Sequence, residues 1–384
     1  MNDRRRFLKR CVAGCGLAVL GATALRDLFG DGLPLGLGFR NDASGPIDRF
    51  SRPAAWWRAD GGLVRCDLCP HRCVLGENDR GFCRSRVVKG GALQTVAYGN
   101  LCSLAVDPIE KKPLYHFLPR TKILSVAMGG CNLRCLNCQN AGISQERPAD
   151  VQQLGMLPDA LVALGRERAL PALAFTYTEP LVSFEYVRDA AALARAAGIR
   201  TVLVTAGYIE EGPLRELARV IDAVTLDVKA FRDALYREVA GARLAPVLRT
   251  LEVLKEEGVW VEASFLMVTD FSDEPAEVGR FAAWLVRALG AGTPFHLLRF
   301  FPAHRLQNRP PTPIPRMEAA RAAALEAGLR FVYLGNVPEA DANTTRCPRC
   351  RSVLIERQGF VVSRLELRDG HCPTCGETIP GVYR

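Results

Sequence analysis

Three cysteines within eight residues, Cys131-Asn-Leu-Arg-Cys135-Leu-Asn-Cys138, carry the clearest chemistry of this chain. They stand between Gly129-Gly130 and Gln139-Asn140, and no fourth cysteine occupies the next natural position. A closed structural metal site takes four protein ligands. Three thiolates leave a position open, and iron–sulfur clusters are held by Cys thiolates. The spacing therefore points to a [4Fe–4S] cluster with one iron free for another ligand. A zinc site short of one ligand is the alternative.

The element that must position the triplet is the run before it. Lys122-Ile-Leu-Ser-Val-Ala-Met128 is short, mostly apolar and followed by Gly-Gly, the pattern of a buried strand entering a loop. The thiols then lie at a strand's C-terminal end, where barrels and open α/β folds gather their chemistry. Further strands are predicted at 172–177, 201–205, 223–228, 260–267, 295–300 and 331–334. Helical patterns intervene at 187–197, 213–220, 244–257, 275–289 and 316–327. The alternation implies βαβ units on a parallel sheet, an α/β fold approaching a TIM-like barrel that is incomplete. Polar residues mark the strand ends: Thr178 and Glu179, Thr205, Thr225 with Asp227 and Lys229, Glu262 and Ser264, then His296 and Arg299. In a barrel these would converge on one mouth. Asp227 and Lys229 could equally form an ion pair, and His296 could be a satisfied core histidine.

The fourteen cysteines fall into groups. Cys347-Pro-Arg-Cys350 and Cys372-Pro-Thr-Cys375 make a CxxC…CxxC pair around a strand-rich hairpin, the spacing of a Cys₄ zinc ribbon. Cys66, Cys69, Cys73 and Cys83 form a less regular quartet, readable as a zinc knuckle or as an auxiliary iron–sulfur cluster. His71 and His371 are surplus to these sets. Cys102 reads as a small buried hydrophobe. Much of the +9 charge comes from Arg4, Arg5, Arg6, Lys9 and Arg10. No basic stripe with interleaved aromatics follows, which argues against nucleic acid.

The basic run precedes an apolar stretch, Cys11 to Leu25, with Ala22-Thr23-Ala24 near its end. This resembles a twin-arginine export signal or membrane anchor, whereas thiolate metal sites assemble in reducing compartments. The expected organisation is a signal at 1–25, a Gly/Pro-rich linker at 26–60, a Cys-rich module at 61–119, the barrel at 120–338 and a ribbon at 339–384.

The three-cysteine loop after the first barrel strand resembles the radical SAM superfamily. The wider pattern resembles its pyruvate formate-lyase activating-enzyme-like branch, in particular the radical SAM enzyme of the AmmeMemoRadiSam system. The stretches that carry the resemblance are 66–73, 107–119, 129–140, 175–180, 299–302, 310–313 and 333–336. The resemblance implies a (β/α)6 radical SAM barrel. It implies that Cys131, Cys135 and Cys138 ligate three irons while S-adenosylmethionine (SAM) chelates the fourth. Reductive cleavage of SAM then yields a 5′-deoxyadenosyl radical that abstracts hydrogen from a substrate. It places the Thr178–Glu179 segment at the SAM amino group, and Asp227, Lys229 and Glu262 near its ribose or carboxylate, with Asn140 also on the cofactor side. It further implies a low-potential electron donor and partner proteins of the AmmeMemoRadiSam system. Asn137 departs from the pattern, because such loops often carry an aromatic residue just before the third cysteine. A glycyl-radical-enzyme activase and a non-catalytic zinc protein are the rival readings.

Overall fold

The computed structural model describes residues 47–384 apart from Glu339. The basic run, Cys11, Cys15 and the first part of the expected linker lie outside the described residues. None of the described helices is long and apolar enough to cross a membrane.

Seven parallel strands form the core sheet. They are β1 (Lys122–Met128), β2 (Ala172–Phe175), β3 (Arg200–Thr205), β4 (Ala223–Val228), β5 (Trp260–Met267), β6 (Phe295–Arg299) and β7 (Val332–Gly335). They lie side by side in chain order, as expected when each crossover is a helix that packs back onto the sheet. The crossover helices are α1 (Pro158–Glu167), α2 (Phe184–Ala196), α3 (Glu211–Ala218), α4 (Asp233–Ala240) with α5 (Leu244–Glu256), α6 (Pro275–Ala288) and α7 (Ile314–Glu326). Six βα units result, as expected. Helices α1 and α4 were absent from the sequence reading. Beyond β1 the sheet continues with an antiparallel strand, Asn100–Pro108, and the short Leu154–Gly155, so it ends in open edges.

Alternation sorts each strand into two faces. Val261, Ala263, Phe265 and Met267 of β5, with Leu203 of β3 and Leu297 of β6, pack outward in the large apolar cluster shared with the helices. The inward face is closed at its N-terminal end by the chain itself. Ile109, Leu114, Phe117 and Leu118 pack against Ile123, Ala172, Ala174, Val202 and Ala223. This segment is a plug in the barrel floor. The stretch 100–118, expected in the N-terminal module, thus belongs to the barrel by its pairing and packing.

The described part of the expected linker, residues 47–60, contains strands. Arg52–Pro53 pairs with Thr95 and Gln94, and Trp57–Asp60 pairs with Leu63–Cys66. The aromatic side chains explain the difference. Trp56 meets Phe184 edge-on at 6.4 Å and donates its indole N–H to Glu216 at 3.1 Å. A buried ion pair between Arg86 and Glu185 ties the same region to α2.

At the other end, Thr345–Arg346, Val353–Gln358 and Val361–Leu365 form an antiparallel sheet. It packs under the floor, where Leu354, Ile355 and Cys347 join Tyr115, Phe331 and Tyr333 in one cluster. Buried Arg357 crosses the junction, donating to Tyr115 O at 2.7 Å and to Thr345 Oγ1 at 2.9 Å.

Candidate active site

The cysteine loop leaves β1 at the C-terminal end of the sheet and is pinned by backbone hydrogen bonds on several sides. Cys131 N–H donates to Cys83 O at 3.2 Å, Arg134 N–H to Ala240 O at 2.8 Å and Leu136 N–H to Val239 O at 2.9 Å. Gly130 is required at the entry. Its φ is +101°, and a Cβ there would lie 2.6 Å from Cys83 O. Cys131 is buried, while Cys135 and Cys138 are half-buried. The thiols already attract donors: Leu133 N–H points at Cys131 Sγ (3.3 Å), and Ser144 Oγ lies 3.1 Å from Cys138 Sγ. Burial pushes the Cys131 thiol up, helped by nearby Glu179, and pushes Cys135 up to about 11 against the pull of Lys229. Thiols held neutral in this way ionise when a metal replaces the proton.

Three strand ends surround the loop. After β2 the chain turns sharply at Tyr177, whose φ of +68° is uncommon for a bulky residue. Asn140 braces the turn by donating its amide to Tyr177 O at 2.8 Å, and Thr178 Oγ1 donates to Met128 O at 2.7 Å. Glu179 is buried. It accepts from Thr205 Oγ1 (2.5 Å), Ala206 N–H (2.9 Å) and Leu181 N–H (3.2 Å). Burial raises its pKa more than these bonds lower it. From β4, Lys229 donates to Asp227. Burial opposes the Lys229 charge, but Asp227 and Cys135 outweigh it and raise the ammonium's pKa. Asp227 Oδ1 is buried without a partner, and so is Asn137 Oδ1 on the cysteine loop.

Glu262 lies elsewhere, and its expected place beside SAM is corrected. It accepts from Tyr115 N–H (2.9 Å), His116 N–H (2.7 Å), His296 Nε2 (2.7 Å) and Trp260 Nε1 (3.2 Å). Both oxygens are used, and the residue is fully buried among the first residues of the strands. Its role is to bind the plug to the floor. His296 is accordingly a satisfied core histidine, and Thr225 also serves the plug by donating to Lys112 O at 2.5 Å. Sequence spacing could not separate mouth from floor, because all these residues share the inward parity of their strands.

The plug brings in a group the sequence reading did not single out. Lys112, fully buried, donates to Asp107 at 2.7 Å and to Tyr177 Oη at 3.2 Å, and Tyr177 also donates to Asp107. Burial lowers the Lys112 pKa to about 8 despite Asp107. The available signal was the Pro-flanked run Asp107-Pro-Ile-Glu-Lys-Lys-Pro113, whose two prolines fix a tight path.

The remaining cysteines divide. Cys347, Cys350, Cys372 and Cys375 have their sulfurs all within 4.8 Å of one another and are, among the described residues, the one group so gathered. The facing pairs are 3.5 Å and 3.6 Å apart. His371 is exposed and sits over Asp369 O, outside this set. Cys102 is buried, with its thiol pushed up to about 12 by burial. The triplet is not gathered in this way.

Comparison with known proteins places the chain in a family. The model of the Radical SAM superfamily matches residues 125–283. An uncharacterized protein of Methanocaldococcus jannaschii is 42% identical over 324 residues, spanning 84% of this chain and 96% of that protein. The benzylsuccinate synthase activating enzyme of Thauera aromatica is 26% identical over 32% of this chain and 37% of its own length. The pyruvate formate-lyase 1-activating enzyme of Escherichia coli K12 is 26% identical over 38% of this chain and 61% of its own. The chain thus spans less than two thirds of these two activating enzymes. Among solved structures, Streptococcus suis SuiB bound to S-adenosylmethionine aligns with a TM-score of 0.44 at 10% identity, over 59% of this chain and 53% of that one.

Proposed function

Because this chain belongs to the radical SAM superfamily, whose members are enzymes, we propose that it acts on a small-molecule or peptide substrate in an AmmeMemoRadiSam-type pathway. When bound, a [4Fe–4S] cluster and SAM together supply a 5′-deoxyadenosyl radical that takes a hydrogen atom from the substrate. The observation that carries the reading is the triplet itself: three thiols on a pinned loop at the sheet's C-terminal mouth, with no fourth ligand in the loop.

Cys131, Cys135 and Cys138 would hold three irons. Glu179 is preplaced to accept from the SAM amino group, because a cation beside it offsets the cost of its buried charge. Lys229 would face the SAM carboxylate, and Asp227 would offer Oδ1 to the ribose hydroxyls. Asn137 Oδ1 would accept from the adenine amino group, a hydrogen bond in place of the aromatic contact this loop lacks. Asn140 and Thr178 position the turn that carries Glu179. The plug closes the barrel from below and so excludes water from beneath the site.

The Cys347, Cys350, Cys372 and Cys375 group fits zinc. A tetrahedral ion with Zn–S bonds of about 2.3 Å sets its sulfurs about 3.8 Å apart, close to the observed pairs. Its role is structural, tying the ribbon beneath the floor.

The test is anaerobic reconstitution of the full chain, followed by incubation with SAM and a strong reductant. The expected product is 5′-deoxyadenosine, and its absence from an iron-loaded protein overturns the reading. Zinc at all three cysteine groups without cluster absorbance would point instead to a non-catalytic protein. A second reading, activation of a glycyl-radical enzyme, is favoured by the names of the two activating-enzyme relatives. A glycyl-radical EPR signal on a partner protein would select it.

A further inference from the structure

The quartet Cys66, Cys69, Cys73 and Cys83 has no part in the chemistry above, yet it is built against it. Cys66 closes the strand Leu63–Cys66, and its N–H donates to Cys73 O at 2.9 Å, folding the intervening turn back on itself. Phe82, next to Cys83, donates its N–H to Cys73 Sγ at 3.4 Å, and the buried Arg86 guanidinium lies 3.7 Å from Cys66 Sγ. These bonds draw the segments that carry Cys66, Cys73 and Cys83 together, with Cys69 in the turn between Cys66 and Cys73. Cys66, Cys69 and Cys83 are buried and Cys73 is half-buried.

Sulfur spacing separates the two kinds of metal site. The ribbon's four sulfurs are gathered to single-ion distances. Among the described residues no three sulfurs of the quartet approach one another so closely, and in this the quartet matches the triplet. A mononuclear site draws every thiolate onto one ion, whereas an iron–sulfur cubane meets each thiolate at a separate iron. The donors aimed at Cys66 and Cys73 are of the kind that stabilise and tune cluster sulfurs.

The quartet also touches the triplet loop directly. Cys83 O accepts from Cys131 N–H at 3.2 Å, so one peptide hydrogen bond joins the last cysteine of one set to the first of the other. His71, between Cys69 and Cys73, lies 2.8 Å from Asn132 O and stacks on Phe82 at 4.0 Å, where it supports the contact rather than the metal.

We propose that Cys66, Cys69, Cys73 and Cys83 ligate a second [4Fe–4S] cluster, capped at every iron by protein and packed against the loop of the first. With four thiolates it has no open position for substrate. This assignment does not depend on the SAM reading, and metal counts test it without any assay of turnover.

The reconstituted full chain should hold about eight irons and eight sulfides with one zinc, and about four irons with two zincs would overturn the proposal. The triple variant Cys131→Ala/Cys135→Ala/Cys138→Ala removes the first cluster alone. It should keep about half of the iron and the visible cluster absorbance, and a variant without iron but with a second zinc would overturn the proposal. Should that variant fail to fold, the wild-type counts decide by themselves. If the wild type makes no 5′-deoxyadenosine yet the triple variant retains its iron, the SAM reading fails and the second cluster stands.

Discussion

The two ends of the barrel partner their buried carboxylates differently. At the floor, Glu262 has four donors on its two oxygens, and His116 is bonded to Pro380 O and Tyr333 Oη at 2.7 Å each, while Arg357 reaches Tyr115 O but leaves its Nε without a partner. At the mouth, Asp227 Oδ1 and Asn137 Oδ1 are buried with no partner, and Asn137 shares its loop with the three free thiols. A buried acceptor left open costs stability, about 1–3 kcal/mol. The contrast between Glu262 and Asp227 separates a carboxylate that the fold satisfies from one with an oxygen left for a ligand. Proximity to the barrel axis does not distinguish Asp227 from Glu262, since both sit on inward-facing strand positions.

The strongest challenge to this contrast is Cys135→Ala. It should lower SAM cleavage roughly a hundredfold or more while leaving the ribbon's metal in place. Parallel iron, zinc and 5′-deoxyadenosine measurements check this, and equal loss of both metals would refute the division of thiols. Next comes Cys350→Ala, below the floor. Loss of a structural ion should cost several kcal/mol and roughly 10 °C in Tm, with the triplet's iron retained.

A matched pair of carboxylates sharpens the comparison. Glu262→Ala strands two backbone N–H groups and His296, so it should cost about 3–5 kcal/mol without specifically changing SAM affinity. Asp227→Asn should raise the KM for SAM about tenfold, with a smaller loss of Tm than Glu262→Ala because the Asp227–Lys229 pair keeps contact with solvent. Reversed outcomes would exchange the roles assigned to floor and mouth.

The smallest effect concerns pH. Burial lowers the His116 pKa from 6.5 to about 4 despite neighbouring Glu262. Above pH 6.5 the imidazole is neutral in both folded and unfolded chains. As pH falls below 6.5, the unfolded chain takes up a proton that the folded one refuses until about pH 4. Stability should therefore decline by ~3 kcal/mol across that window. Urea midpoints against pH, compared with His116→Phe, measure the contribution, and an unchanged slope in the variant would remove His116 as its source.

Local pattern alone was enough for the seven strands, within two residues at each end, because β-branched apolar runs bounded by helical stretches have few other ways to pair. It was also enough to pair Cys347 and Cys350 with Cys372 and Cys375, whose sulfurs the fold gathers within 4.8 Å of one another. Helices α1 and α4 escaped because their short amphipathic patterns adjoin Gly- and Pro-rich or loop segments. The described part of the linker escaped because Trp56 is held by Phe184 and Glu216, far along the chain. What tertiary structure alone decided was depth. Asp227 and Glu262 carry the same charge on the same inward face, yet one stands beside the thiols and the other beneath the plug. The plug comes from residues 109–118, more than a hundred positions away from either. Only the folded chain determines which carboxylate it reaches, because desolvation and hydrogen bonding act through space and leave no mark on local spacing.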